Sequence, residues 1–239
     1  MKIILFVLFT TNWAHANLKI IIDPGHGGFD RGAVYGSAQE SKIVLQIARL
    51  LKTTLEKNHQ MDVALTRQED RHLSLTDRVR QAEKAQADLF ISLHANAATD
   101  ARARGLEFFI QESWNQEEAL SQTDDDLSKK AELANILSDL KNQNRFSTSL
   151  KISRILAENL SGHIKQGPFY VISKTSMPAV LIEVGFLSHN RDYQQLVNPV
   201  YQKTLAEKMA NSIKQFCIAS GSKYAKVGAC EMMVDKKIN

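Results

Sequence analysis

The chain has 239 residues, 44% of them hydrophobic, enough to bury one full core, and its length favours one domain over two. Its formal charge of +4 is spread along the chain, and no basic stripe with interleaved aromatics offers a nucleic acid surface. Beyond the N-terminus no run approaches ~18 uninterrupted apolar residues, so no membrane span is expected in the mature chain.

The first sixteen residues stand apart. Lys2, an apolar run over 3–10, Trp13 and then Ala14-His15-Ala16 follow the order of a secretory signal, with cleavage expected after Ala16. A retained N-terminal anchor is the alternative. No Cys follows the cleavage point, which argues against a lipoprotein. Loss of Lys2 leaves 29 of the 30 basic residues against 26 acidic ones, a net charge of +3. In an oxidising compartment Cys217 and Cys230 either pair to tie down the C-terminal tail or stay as thiols.

Residues 18–23 (LKIIID) form an apolar, β-branched run bounded by Pro24 and three glycines, the pattern of a buried strand ending in a loop. His26 sits in that loop, where flanking glycines let a substrate approach an imidazole. A solvated His in a plain Gly-rich turn is the alternative. Apolar residues from Ile43 to Leu55 recur at helical spacing and predict an amphipathic helix over about 39–57, opened by Glu40. Residues 62–66 (DVALT) read as a second strand, 75–87 as a helix with Ser74 as N-cap, and 88–94 (DLFISLH) as a third strand.

Residues 105–110 (GLEFFI) give a further strand. From 111 to 149 the chain is polar, with one short helix carrying Leu133, Ile136, Leu137 and Leu140, and so long a connection in a compact domain is functional or disordered. A helix over 150–160, an edge strand over 169–172, a central strand over 179–184 (AVLIEV) and a helix over 200–216 complete the pattern before a loose tail. Alternating strands and helices of these lengths predict an α/β fold: one doubly wound, mostly parallel, twisted sheet with helices on both faces.

In such a sheet, residues just past the strand ends gather along one edge. His26, Glu40, His94 at the end of SLH, and Glu183 in AVLIEV all fall there. Singly, each has a plain structural explanation; together they supply two imidazoles and a carboxylate, the set that holds catalytic zinc with one position open, plus a second carboxylate as base. Glu183, on an apolar strand, is expected to titrate nearer neutrality; pairing with a buried Arg is its structural alternative. His59, His72, His163 and His189 are expected to be solvated.

The pieces IIIDPGHGGFDRGA, QESKIVLQIARLL, VALTR, LSLTDRVRQAEKAQADLFISLHANA, RGLEFFI and MPAVLIEVGFLSH resemble the zinc-dependent N-acetylmuramoyl-L-alanine amidases of the type 3 family over about residues 18–217. The resemblance implies His26, Glu40 and His94 as zinc ligands and Glu183 as the catalytic carboxylate. It implies hydrolysis of the amide between the lactyl group of N-acetylmuramic acid and L-alanine of the peptidoglycan stem peptide. His189 departs from the Asn common there, without touching an assigned role. Arg67 and Asn96 lie beside matched motifs and are candidates for contact with substrate, without a catalytic role. Some members carry an insertion that covers the zinc until an activator protein removes it, so 111–149 is expected to gate the site, a merely solvated loop being the alternative.

The domain plan is then a signal peptide over 1–16, a catalytic domain over 17–219 and a tail over 220–239, in an exported monomer of the periplasm or, failing that, a secreted or wall-associated one. Another zinc-dependent peptidoglycan peptidase or deacetylase is the alternative enzyme, and a metal-free wall-binding module the alternative class. The latter would lack one of the four site residues. No G-x-G-x-x-G stands at the first strand-to-helix turn, which weighs against nucleotide binding.

Overall fold

The computed structural model describes residues 18–59, 61–112 and 126–220. The expected signal peptide, Cys230 and the tail after residue 220 lie outside them, and so does the choice between a Cys217–Cys230 pair and two thiols. Cys217 itself is buried in the core.

In chain order the elements are β1 (Lys19–Pro24), the hairpin β2 (Val34–Tyr35) and β3 (Ala38–Gln39), α1 (Glu40–His59), β4 (Asp62–Leu65), α2 (Leu75–Ala85), β5 (Leu89–Asn96) and β6 (Glu107–Ile110). Then follow α3 (Asp126–Leu160), β7 (His163–Gln166), α4 (Tyr170–Ser173), β8 (Ala179–Phe186), α5 (Asn190–Leu196) and α6 (Pro199–Ala219). Six strands form one sheet in the order β4-β1-β5-β8-β6-β7. The first four of that row are parallel, β6 runs antiparallel to β8, and β7 follows the direction of β6. The α/β, mostly parallel expectation holds.

Strand parity divides the core in two. Ile20, Ile22, Ile91, Leu93, Val180, Ile182 and Phe108 point to the face covered by α1, α3 and α6 and form the larger cluster. Ile21, Phe90, Ala179 and Leu181 point to the other face, which among the described residues α2 and the short α4 cover. Ser74 caps α2 as expected, its hydroxyl accepting from the Asp77 amide at 3.1 Å. Among the described residues no helix is long and apolar enough to cross a membrane.

Two expectations are corrected. The residues 150–160 expected to form their own helix are the last turns of a continuous 35-residue α3. No Gly or Pro interrupts residues 126–160, so polar helix formers carry the helix on although its apolar face is not buried throughout. Ile152 and Leu156 are fully buried, whereas Leu133, Ile136, Leu137 and Leu140 are about half exposed. The edge strand is His163–Gln166, and residues 169–172 instead enter α4. Gly167 and Pro168 break the chain there, and an edge strand as polar as HIKQ gives no apolar signal.

The two zones of α3 make a direct prediction. Leu156→Ala lowers unfolding free energy by about 2–5 kcal/mol, whereas Leu137→Ala changes it by no more than about 0.5 kcal/mol. Denaturant unfolding of the two variants measures the contrast.

Candidate metal centre

The loop after β1 is held from below. Asp23, fully buried, accepts from Thr66 Oγ1 (2.6 Å), Arg78 Nη1 (2.8 Å) and Ser92 Oγ (3.0 Å). Arg78 also donates to the carbonyls of Pro24 (2.8 Å) and His26 (2.7 Å). Arg67 donates to Pro24 (2.9 Å), Gly25 (2.7 Å) and Ser41 (2.8 Å). Three successive carbonyls therefore face inward, and the His26 side chain is presented outward with its backbone at φ +57°. A non-glycine residue there costs about 1–2 kcal/mol. Arg67 was a candidate for contact with substrate. It is instead a fully buried brace, its pKa pushed down to about 10 by burial and then by the charge of Arg78, and it stays protonated at neutral pH.

His26, Glu40 and His94 converge as expected. One donor atom from each lies within 4.8 Å of the other two, the one such His/Cys/Asp/Glu group among the described residues. His26 Nε2 is 3.1 Å and His94 Nδ1 2.9 Å from Glu40 Oε1, and the two rings meet edge to face at 4.9 Å. Backbone amides of Ala95 (3.0 Å) and Ala33 (2.8 Å) donate to the two oxygens of Glu40. Burial pushes the Glu40 carboxyl up, but hydrogen bonds from His26 and His94 and their charges outweigh it and hold it well below the usual range. Burial likewise opposes charge on His26, yet the Glu40 and Asp30 carboxylates raise its pKa.

Glycine is required twice here. A Cβ on Gly25 would come within 2.2 Å of His94 Cε1, and one on Gly32, at φ +64°, within 2.4 Å of Glu40 Oε2.

The donor set fits a zinc-type ion. Two imidazoles and one carboxylate make up a three-ligand catalytic site, and edges of about 3 Å suit ligand bonds of about 2 Å. Asp30, absent from the sequence reading, lies 2.9 Å from His26 Nδ1 through both oxygens and leaves Nε2 to face the centre. Its signal was its place four residues after His26 in GHGGFD.

Glu183 arrives by strand register. On β8 it is paired with His94 of β5 on one side and with Glu107 of β6 on the other, so all three side chains emerge on one face. It is buried, and its Oε2 has no hydrogen-bond partner among the described residues. Burial, then the charges of Glu40 and Glu107, push its pKa up to about 8, with His26 acting the other way. No Arg pairs with it, so the structural alternative fails among the described residues. Asn96, the other candidate for contact with substrate, donates to Glu107 Oε2 at 3.3 Å, and Lys165 Nζ bonds the other Glu107 oxygen.

The remaining histidines divide. His163 is exposed, though at the start of β7 rather than in a turn. His72 is exposed but stacked on Phe29. His59 and His189 were expected to be solvated and are not. His59 is buried where the chain turns back towards buried Met61. Half-buried His189 caps α5, accepting from the Asp192 amide at 3.4 Å.

Glu183 sets a pH signature in metal-free protein. With a folded pKa of about 8 against an ordinary value of 4.5, it keeps in the folded state a proton that the unfolded chain has released. Stability therefore falls as pH rises through that window. Tm should decline by several degrees between about pH 5 and pH 8, and Glu183→Gln should flatten the slope; an equal slope in both proteins would assign it to other groups.

Known proteins are similar to this chain in sequence and fold. The profile of the N-acetylmuramoyl-L-alanine amidase family matches residues 20–215. The chain is 31% identical over 231 residues to N-acetylmuramoyl-L-alanine amidase AmiC of Escherichia coli O6:H1, covering 88% of this chain but 55% of that protein. It is 31% identical over 215 residues to AmiA of Salmonella typhimurium, covering 81% and 74% of the two. The chain thus spans about half the length of the first relative. Among solved structures, the catalytic domain of CwlV from Bacillus (Paenibacillus) polymyxa var. colistinus superposes with a TM-score of 0.65 at 27% identity, covering 83% of this chain and 97% of that one. With the family profile matched over most of its length and its fold shared with a solved catalytic domain, the chain belongs to the N-acetylmuramoyl-L-alanine amidase family.

Proposed function

We propose that the chain is an exported, zinc-dependent amidase that cleaves the bond between the lactyl group of N-acetylmuramic acid and L-alanine of the peptidoglycan stem. The observation that carries this is the juxtaposition, at one sheet edge, of the His26–Glu40–His94 donor set with a buried, unpartnered Glu183. Those three residues would hold zinc, which would supply Lewis acidity to the substrate carbonyl and to a water.

The protein's own groups do the rest. Asp30 fixes the His26 tautomer, and the amides of Ala33 and Ala95 fix the Glu40 carboxylate. Glu183 takes the proton from the attacking water and gives it to the amide nitrogen as the C–N bond breaks. The products are a free lactyl carboxylate and a free alanine amine. Desolvation suits Glu183 to this shuttle because it brings the carboxyl towards the pH at which it must both accept and donate.

Export through residues 1–16 and action in the periplasm follow from the substrate's place outside the cytoplasm. An activator that relieves gating by 111–149 draws no support from the described part of that segment. Arg145 of α3 donates to the carbonyls of Ser173 and Thr175, just before β8 begins, at the sheet edge opposite His94.

His94→Ala should lose bound zinc and wall hydrolysis together. Glu183→Gln should keep the zinc and lose about 10²–10⁴-fold in kcat, measured by metal analysis beside release of soluble product. Intact stem peptides must be released from glycan; cut stems or freed acetate would instead favour a peptidase or a deacetylase.

A further inference from the structure

The two flanks of the cleft differ in chemistry. On the β6–β7 side stand Glu107, Lys165 and Asn96, a polar and charged rim beside Glu183. On the β1 side stands a wall of rings. Phe29, 81% exposed, is the most exposed large hydrophobic side chain among the described residues. It stacks on His72 with ring centroids 4.1 Å apart and planes 28° from parallel.

His72 in turn lines a cavity of about 130 Å³ together with His26, His94, Leu75 and Val171, so the wall is continuous with the metal centre. Leu75, 53% exposed, and Tyr170, 39% exposed, extend it; the Tyr170 hydroxyl lies 3.4 Å from Thr76 Oγ1. Three strand spacings of about 4.8 Å separate β1 from β6, so the flanks stand on the order of 15 Å apart.

The wall is rigid. The Gly28 amide donates to Asp70 Oδ1 at 2.9 Å. A Cβ on Gly27 would meet the Arg71 carbonyl at 2.2 Å, and one on Gly28 the His72 amide at 2.8 Å. The loop carrying Phe29 is thus pressed on the loop carrying His72, and an exposed aromatic is held in place without a folding role. Such a side chain beside a cleft marks a ligand surface.

Resting on the amidase reading, we propose that the Phe29–His72 wall is the glycan subsite, holding a sugar ring of the substrate by contact of its C–H face with the Phe29 ring. The scissile amide joins an uncharged sugar to a peptide bearing charged groups. The β6–β7 flank sets the Lys165–Glu107 pair beside Glu183 for those charges, whereas the β1 flank presents stacked rings, with exposed Glu69 and Arg71 of the loop before His72 lying 4.0 Å from each other, so the aromatic flank takes the sugar. The cleft then reads the bond in one direction, glycan over β1 and stem over β6.

Calorimetric titration with peptide-free glycan strands tests this without catalysis. The zinc-loaded wild type should bind them, Phe29→Ala at least tenfold more weakly, and Phe29→Tyr like wild type, all with equal zinc content. In hydrolysis, Phe29→Ala should shift the ratio of kcat/KM about tenfold against a disaccharide-peptide relative to a sugar-free lactoyl-peptide. Equal glycan binding by wild type and Phe29→Ala, or none by either, overturns the subsite, as does an equal loss on both substrates, which would place the peptide there. Glycan binding without any hydrolysis of peptidoglycan by wild type would instead sink the amidase reading and leave the subsite standing.

Discussion

The site rests on the buried pairing of Asp23 with Arg78, 2.8 Å apart and both almost wholly removed from water. Burying two charges is expensive unless every remaining donor and acceptor finds a partner. Here Thr66 and Ser92 fill the other lone pairs of Asp23, and the spare donors of Arg78 take the Pro24 and His26 carbonyls. Arg67 adds a second guanidinium on the same short stretch. The chain leaving β1 would ordinarily turn some of those carbonyls to solvent. With all three drawn inward, the left-handed backbone at His26 is over-determined by its surroundings, as strained residues at working sites must be.

From that brace the rest of the centre follows by contact. His26 is fixed by its backbone and by Asp30, and Glu40 by two amides from separate elements. His94 is fixed by its strand and by the space that Gly25 leaves open. Glu183 is treated oppositely: it receives burial and like charge rather than hydrogen bonds, and its acidity falls accordingly. The same edge therefore contains one carboxylate stabilised as an anion and another kept from ionising easily. Divergent environments of this kind suit neighbouring carboxylates to different chemical roles.

Much of this was legible from residue patterns. The Ile-rich run ending in DPGHGG, the helical spacing after Glu40 and the runs DLFISLH and AVLIEV place four chemical residues at one edge, because parallel strands leave little choice about where their ends gather. Asp30 and Glu107 were less visible. Each acts through another residue, and a carboxylate four positions on in a loop or at the start of a short strand looks like any solvated acid. Arg67 misled for the converse reason: proximity to a motif in sequence does not separate a group that faces substrate from one that braces the motif. The length of α3 was hidden because the nearly all-polar residues 141–149 carry no apolar stripe to join the helical spacing of Leu133, Ile136, Leu137 and Leu140 to that of Ile152 and Leu156.

Strand parity is what keeps chemistry and packing from competing. Along β5, Phe90, Ser92 and His94 face the thinly covered side while Ile91, Leu93 and Ala95 pack against the helices of the other. Along β8, Leu181 and Glu183 alternate in the same way with Val180, Ile182 and Val184. A slip of one residue in the β5–β8 register would drive Glu183 among the apolar side chains packed on α1, α3 and α6, and would bring Ile182 or Val184 to the cleft. The burial of that larger core therefore does more than stabilise the fold. It favours the observed register, in which Glu183 stays out of the apolar layer, so the position of Glu183 is enforced by residues on the opposite face of the sheet.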